Sequence, residues 1–376
     1  MIKYTYGRQQ IDNDDIEAVV NTLKSNFLTQ GPKVKEFEDK LCEITGAKYA
    51  IAVSNGTAAL HLAVLALGIK PGDQGITSPL TFVASANCLR YAGADVKFAD
   101  IEANTGLIDP AKLEAAITPQ TKVIIPVHYA GQSCDMQEIT KIAKKYNLHI
   151  IEDAAHAIGS VYKDSQVGSC QYSDLTTFSF HPVKTITTAE GGAITTNNLE
   201  LYNKLLALRT HGIVQKPDIA PWYYEMQTLG YNYRLPDVLA ALGTAQLTKL
   251  DKFVTKRREL VDAYRQAFTS DPRFRILVER TYNHSAFHLC PLLINFSSLK
   301  ISKSDLFLKL RERGLNLQVH YIPVHLQPYY QKLGFKSGDY PDAEAFYAQE
   351  ISLPLYPTLK GPDIKNIVKI TKELCQ

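Results

Sequence analysis

The chain has 376 residues, a formal net charge of +3 and 45% hydrophobic residues. That length buries a large core and exceeds one small domain, so two unequal lobes are expected. Mixed-sign charge without a dense basic stripe excludes a nucleic-acid binder, and Lys256-Arg257-Arg258 and Lys144-Lys145 read as solvated helix faces.

The N-terminus, Met1 to Arg8, lacks the apolar core of a signal peptide, and no apolar run approaches the ~20 residues of a membrane span. A cytoplasmic protein with no membrane partner is expected. Acids at Asp12, Asp14 and Asp15, followed by Ile16, Val19, Val20 and Leu23, signal a helix that ends before Gly31-Pro32. Tyr49 to Val53 reads as a strand, and Ser54-Asn55-Gly56-Thr57 turns it into a helix with Leu60, Val64 and Leu67 on one face. Such a turn offers free backbone N–H groups and a positive dipole end, which suit a phosphate.

Ile76 to Pro79 ends the next strand before Thr81 to Asn87, where Phe82 is compatible with a core position. Strands recur at Val96 to Ala99 and Val123 to Val127, separated by a helix that Asp109-Pro110 opens. This alternation predicts an α/β fold with a mostly parallel sheet sandwiched by helices. His128 has no evident chemical partner and reads as structural. Asn147 to Asp153 is a buried strand whose terminal acids, Glu152 and Asp153, stand at the rim where open α/β sheets bind ligands.

Thr176 to Phe180 is a further strand, ended by Pro182, and Gly191-Gly192 permits a close turn before Ala193 to Thr196 resumes strand chemistry. Lys184 therefore lies on a loop held between two sheet elements, where crowding or desolvation can lower its pKa and make it a Schiff-base former. Asp153 precedes it by 31 residues. In pyridoxal phosphate enzymes a carboxylate of this kind keeps the ring nitrogen protonated.

After a helix near Leu201 to Arg209, His211 to Tyr233 reads as a long irregular loop holding the only tryptophan, Trp222. One helix is expected from about Pro236 through Lys249 toward Phe268, joining a large domain, residues 1–250, to a small α+β C-terminal domain, residues 251–376. In the latter, His288 to Ile294 and Leu315 to Val319 read as strands and Ser304 to Arg313 as a helix. The six cysteines are scattered without metal-site spacing, so no metal is expected.

Glu152-Asp153-Ala154-Ala155-His156, Ser179-Phe180-His181-Pro182-Val183-Lys184 and Gly191-Gly192 together resemble the sugar-nucleotide aminotransferases, over essentially the whole chain from Tyr6 onward. The resemblance implies a fold type I transferase dependent on pyridoxal 5'-phosphate (PLP), interconverting with its pyridoxamine form. Lys184 would hold the cofactor and Asp153 its ring nitrogen. Gly56, Thr57 and Ser179 would bind its phosphate, Phe82 would stack on the ring, and His156 would lie near its phenolic oxygen. Tyr6, the segment Asn26, Phe27, Leu28 and Thr29, and the segment His320, Tyr321, Ile322 and Pro323 would contact substrate. Asn232, in an Asn-Tyr-Arg motif, would reach into the neighbouring subunit's site, so a homodimer with shared active sites is implied.

The wording from His181 to Gly192 is closest to the pseudaminic acid branch of that family. This implies L-glutamate as donor and UDP-4-keto-6-deoxy-N-acetyl-β-L-altrosamine as acceptor, with another UDP- or GDP-linked 4-keto sugar as the alternative. Related sugar dehydratases that use the pyridoxamine form carry histidine where this chain has Lys184.

Overall fold

The computed structural model describes residues 2–376. In chain order, β1 (Tyr4–Thr5) precedes helices α1 (Asn13–Leu23) and α2 (Pro32–Thr45), and β2 (Tyr49–Val53) leads into α3 (Gly56–Ala66). Next come β3 (Gln74–Thr77), α4 (Ala84–Tyr91), β4 (Asp95–Phe98), β5 (Thr121–Ile125) and β6 (His149–Asp153). The short pair β7 (Val161–Tyr162) and β8 (Ser165–Gln166) precedes β9 (Leu175–Ser179) and β10 (Gly192–Thr196).

Seven of these strands form one sheet in the order β2-β10-β9-β6-β5-β3-β4. β10 is antiparallel to both neighbours, and the other pairs are parallel. The reversal follows from the Lys184 loop: a short connection without a helix can only bring the chain back antiparallel. Ile51, Ile124, Ile151, Leu175 and Ile194 are fully buried in this sheet. Helix α3 is apolar nearly all round and buried along most of its length, as a central helix should be.

The long helix expected after Pro236 is two helices, Asp237–Leu247 and Leu250–Phe268. Lys249 leaves helical geometry at φ −106° and ψ 1°, and its ammonium is held by Asp12 and Asp15 on and just before α1. The irregular loop expected at 211–233 contains a hairpin, Ile213–Gln215 paired with Tyr224–Met226. Nor is the 256–258 run uniformly solvated. Arg257 is fully buried, donating to the carbonyls of His288 (3.2 Å) and Leu355 (3.0 Å), and Arg258 pairs with Glu279 at 2.7 Å.

Beyond this, Phe274–Ile276, Cys290–Ile294 and Glu350–Leu353 form an antiparallel three-stranded sheet. Helices Lys303–Glu312 and Gly361–Leu374 pack on the same apolar cluster. The strand expected at Leu315 to Val319 is confined to Leu315–Asn316, which pairs in parallel with β1. Among the described residues, no helix is long and apolar enough to cross a membrane, and no cluster of His, Cys, Asp and Glu could hold a metal.

Candidate active site

A cleft of about 960 Å³ opens at the carboxyl ends of the parallel strands. Its floor is made where β9 stops. Phe180, fully buried, donates its N–H to the Gly191 carbonyl (2.8 Å), and its own carbonyl accepts from the Thr188 N–H (3.0 Å) and the Thr187 hydroxyl (2.9 Å). The loop is thus clamped at its base, and the Lys184 N–H closes a tight turn onto the His181 carbonyl at 2.9 Å. Loss of bulk water lowers the Lys184 ammonium from 10.5 to about 8, and attraction to Asp153 offsets only part of that effect.

Alternation along β6 sends its two acids to opposite faces. Asp153 lines the cleft, accepting from the Ser85 hydroxyl at 2.6 Å and the Ala155 N–H at 3.1 Å. Glu152 faces away and binds His128 at 2.7 Å and Ser173 at 2.5 Å. His128 is therefore a buried structural partner of that acid, as expected.

At one end of the cleft, Asn55 caps α3 by accepting the Ala58 N–H at 2.8 Å, leaving the N–H groups of Gly56 and Thr57 free of intrahelical partners. Ser179 lies against this turn: a Cβ on Gly56 would sit 2.9 Å from the Ser179 Cβ. A Cβ on Gly192 would sit 2.5 Å from the Asn55 carbonyl oxygen, so both glycines are needed for the close approach. The resulting cup joins free N–H groups, a hydroxyl and the positive end of a helix, the donor set a phosphate requires.

Phe82 stands 58% exposed at the cleft, its ring centroid 6.3 Å from that of Tyr321. His156 is buried, and its Nδ1 accepts the Ala130 N–H at 3.3 Å. That bond assigns the imidazole proton to Nε2, which donates to the Tyr321 hydroxyl at 3.0 Å and leaves the hydroxyl's own proton free. Burial and the nearby Lys184 charge hold His156 well below its ordinary value, so it is neutral. His320 is buried against Tyr6, with ring centroids 4.9 Å apart.

The model of the DegT/DnrJ/EryC1/StrS aminotransferase family matches residues 9–372. The chain belongs to this family. Among curated relatives, a UDP-4-amino-4,6-dideoxy-N-acetyl-beta-L-altrosamine transaminase of Campylobacter jejuni is 45% identical over 366 residues, 96% of this chain and 95% of the relative. Among solved structures, Helicobacter pylori PseC, an aminotransferase involved in the biosynthesis of pseudoaminic acid, superposes with a TM-score of 0.93 at 35% identity, covering 99% of each chain. The pyridoxamine-phosphate form of a putative sugar aminotransferase, Spr1654 of Streptococcus pneumoniae, gives 0.93 at 33% identity, covering 100% of this chain and 99% of that one.

In this DegT/DnrJ/EryC1/StrS member the cleft collects most of the residues expected from sequence. Gly56, Thr57 and Ser179 line its end at the α3 N-terminus. Phe82, Asp153, His156 and Lys184 line its middle, and Tyr6, His320, Tyr321 and Ile322 its outer side. Pro323 is buried beside that side without lining it. Asn26, Phe27, Leu28 and Thr29 are exposed outside the cleft of their own chain, as is Asn232.

Sequence reasoning missed Ser85, His288 and Tyr233, all of which line the cleft. His288 is buried, packs on His156 with ring centroids 4.5 Å apart, and has an unpartnered Nδ1. Its position beside an apolar strand disguised it as core. Ser85 was discoverable in principle from its four-residue spacing to Thr81, whose hydroxyl the structure places 2.7 Å away.

Proposed function

We propose that this chain is a PLP-dependent aminotransferase that moves an amino group from L-glutamate to C4 of UDP-4-keto-6-deoxy-N-acetyl-β-L-altrosamine. One observation carries the reading: a lysine of depressed basicity shares a cleft with a fixed carboxylate and with an anion cup at a helix N-terminus. These are the three donor sets that the aldehyde, ring nitrogen and phosphate of PLP require, so the residues fit the cofactor. Family membership and the similarity to the C. jejuni altrosamine transaminase and to H. pylori PseC support the sugar.

When bound, PLP supplies an aldehyde that condenses with amines and a protonated ring that takes up electrons. Lys184 is the amine that would tether it. Freed by the incoming donor, the same Nζ accepts the α-proton of glutamate and, in the second half-reaction, delivers a proton to C4 of the sugar. Asp153, fixed by Ser85 and Ala155, would hold the proton on the ring nitrogen. Gly56, Thr57 and Ser179 would bind the phosphate, and Phe82 would cover one ring face. His156 would lie near the phenolic oxygen and orient Tyr321, whose own hydroxyl proton would be the one donated there. Tyr6, His320, Tyr321 and Ile322 would border the sugar, with Pro323 buried behind them.

We further propose a homodimer with shared active sites. Lys184 is the only Lys or Arg among the described residues lining the cleft, whereas the cofactor phosphate, two glutamate carboxylates and a diphosphate are all anionic. Ile16, Leu23, Phe27, Trp222 and Leu229 are 54–78% exposed, apolar surface that one chain leaves uncovered. A second copy would cover that surface, with its Asn232 and its Asn26 to Thr29 segment completing the site. Residues 1–250 would act as the large PLP-binding domain and residues 251–376 as the small domain.

The test supplies purified protein with glutamate and a panel of UDP- and GDP-linked 4-keto sugars and identifies the aminated product by mass spectrometry and NMR. Amination of the altrosamine derivative is expected at the highest kcat/KM. Preference for another sugar overturns the acceptor assignment, and absence of 2-oxoglutarate with every sugar overturns transamination.

A further inference from the structure

Behind the sugar side of the cleft, three side chains form a line. His320 Nδ1 lies 2.7 Å from the Ser352 hydroxyl, and that hydroxyl lies 2.6 Å from Glu350 Oε1. Glu350 Oε2 accepts the His320 backbone N–H at 2.8 Å, so acid and imidazole are locked together twice. Glu350 and Ser352 alternate on one face of their strand, and both are fully buried. His320 Nε2 has no hydrogen-bond partner among the described residues, and the ring lines the cleft.

A serine hydroxyl has one proton to give, so this line has a direction. If Glu350 is a neutral acid, it donates to Ser352, Ser352 donates to Nδ1, and the imidazole proton sits on Nε2, facing the cleft. If Glu350 is ionised, every bond reverses and Nε2 presents a lone pair.

No Lys or Arg among the described residues forms an ion pair with Glu350; the Lys303 ammonium donates to the Tyr347 carbonyl, and burial holds it down at about 8. Burial pushes the carboxyl up to about 8, outweighing the Ser352 hydroxyl, the His320 N–H and the Lys303 charge, which all favour the ionised form. The neutral imidazole is independently favoured, since burial and the Lys184 charge hold His320 down at about 3.

We propose that Glu350, acting through Ser352, is a positioning residue that holds His320 as its Nε2–H tautomer and so presents a hydrogen-bond donor to the oxygens of the nucleotide sugar. The proposal rests on the reading of the cleft as a sugar-nucleotide site, while the relay itself concerns only this chain's own atoms. Tyr129 steadies the arrangement from the far side, donating its hydroxyl to the His320 carbonyl at 2.5 Å.

The experiment reads the tautomer directly, by 15N NMR of histidine-labelled holoenzyme at pH 7, with the His320 signal assigned by its loss in His320→Asn. Wild type is expected to show a protonated Nε2. Ser352→Ala should lose that preference and raise KM for the nucleotide sugar about tenfold, the scale of one hydrogen bond to a charged or strongly polar group. The glutamate half-reaction, followed by absorbance, should change less than about twofold, as expected when the lost bond faces only the sugar.

Ser352→Thr keeps a hydroxyl and should restore both tautomer and KM. Glu350→Gln, whose amide donates as the neutral acid does, should rescue what Glu350→Ala loses. A protonated Nδ1 in wild type, or an unchanged tautomer in Ser352→Ala, overturns the proposal. Should Ser352→Ala fail to fold, a shifted tautomer in Glu350→Gln overturns it equally. A tautomer that shifts while KM stays constant overturns the donor role toward the sugar. Failure of wild type to aminate any nucleotide sugar would instead sink the functional reading, leaving the NMR result to judge the relay.

Discussion

Ser85 donates a 2.6 Å hydrogen bond to Oδ2 of Asp153 from the first turn of α4, and the Thr81 hydroxyl stands 2.7 Å behind it. With Ser85 giving its proton to the acid, Thr81 must donate to Ser85, so two hydroxyls fix the orientation of one buried carboxyl. Ser85→Ala should destabilise the fold by about 1–3 kcal/mol, the cost of leaving a buried acceptor short of a partner. If Asp153 serves the ring nitrogen as proposed, the loosened acid should also lower kcat about tenfold, because that contact would be less well directed. Urea unfolding and steady-state kinetics check the two effects. Wild-type kcat in Ser85→Ala would show that Asp153 needs no such guide.

The lowered basicity of Lys184 makes a pH prediction. Protein stripped of cofactor should react covalently with added PLP at a rate that rises as pH climbs and levels off above about 8, rather than continuing to rise toward 10.5. Borohydride trapping followed by mass spectrometry should place the adduct on Lys184, and Lys184→Ala should show neither adduct nor turnover. The same shift bears on stability. The folded lysine holds its proton less tightly than the unfolded one, so the unfolded chain carries the extra proton between about pH 8 and 10.5. Stability of the stripped protein should therefore gain from this group as pH rises through that window, a slope that Lys184→Ala removes.

Gly192 and Gly56 make a steric prediction at the turn that opens α3, the proposed phosphate cup. An added Cβ at residue 192 meets the Asn55 carbonyl carbon and oxygen at 2.5 Å, and backbone cannot swing away as a side chain can. Gly192→Ala should cost about 1–3 kcal/mol in strain and displace the α3 N-terminus, weakening PLP binding at least tenfold. Gly56→Ala meets the Ser179 side chain at 2.9 Å and should be the milder of the two. Dialysis against cofactor-free buffer, monitored by visible absorbance, ranks them. Equal retention of PLP in both variants would contradict the crowding argument.

The Lys184 loop and the Asp153 rim were legible because local chemistry specifies them: Pro182 stops a strand, a glycine pair turns the chain, and an apolar run ends in acids. The reversed direction of β10 was not legible. Gly-Ala-Ile-Thr-Thr pairs equally well either way, and only the short connection from β9 decides. Arg257 was misread for a different reason: its burial depends on carbonyls of His288 and Leu355, which are distant in sequence. The Glu350, Ser352 and His320 relay was hidden likewise, since no single stretch contains it. The break at Lys249 required knowing that Asp12 and Asp15 lie across from it. What was readable was set within a few residues, and apart from the β10 reversal, which a short connection decides, what was missed was set by contacts between remote segments.

Asn232 lies exposed and outside the cleft of its own chain, and this separates a shared site from a self-contained one. If it serves the neighbouring subunit, Asn232→Ala and Lys184→Ala should each abolish or strongly reduce activity as homodimers. Co-refolded in equal amounts, they should complement. In a mixed dimer one site then carries both lesions and the other carries neither, so random pairing restores about a quarter of the wild-type sites. Recovery near that level, confined to the mixed species isolated by differential tags, is the expected result. No recovery on mixing, with mixed dimers demonstrably present, would mean that each subunit catalyses alone and that Asn232 acts within its own chain.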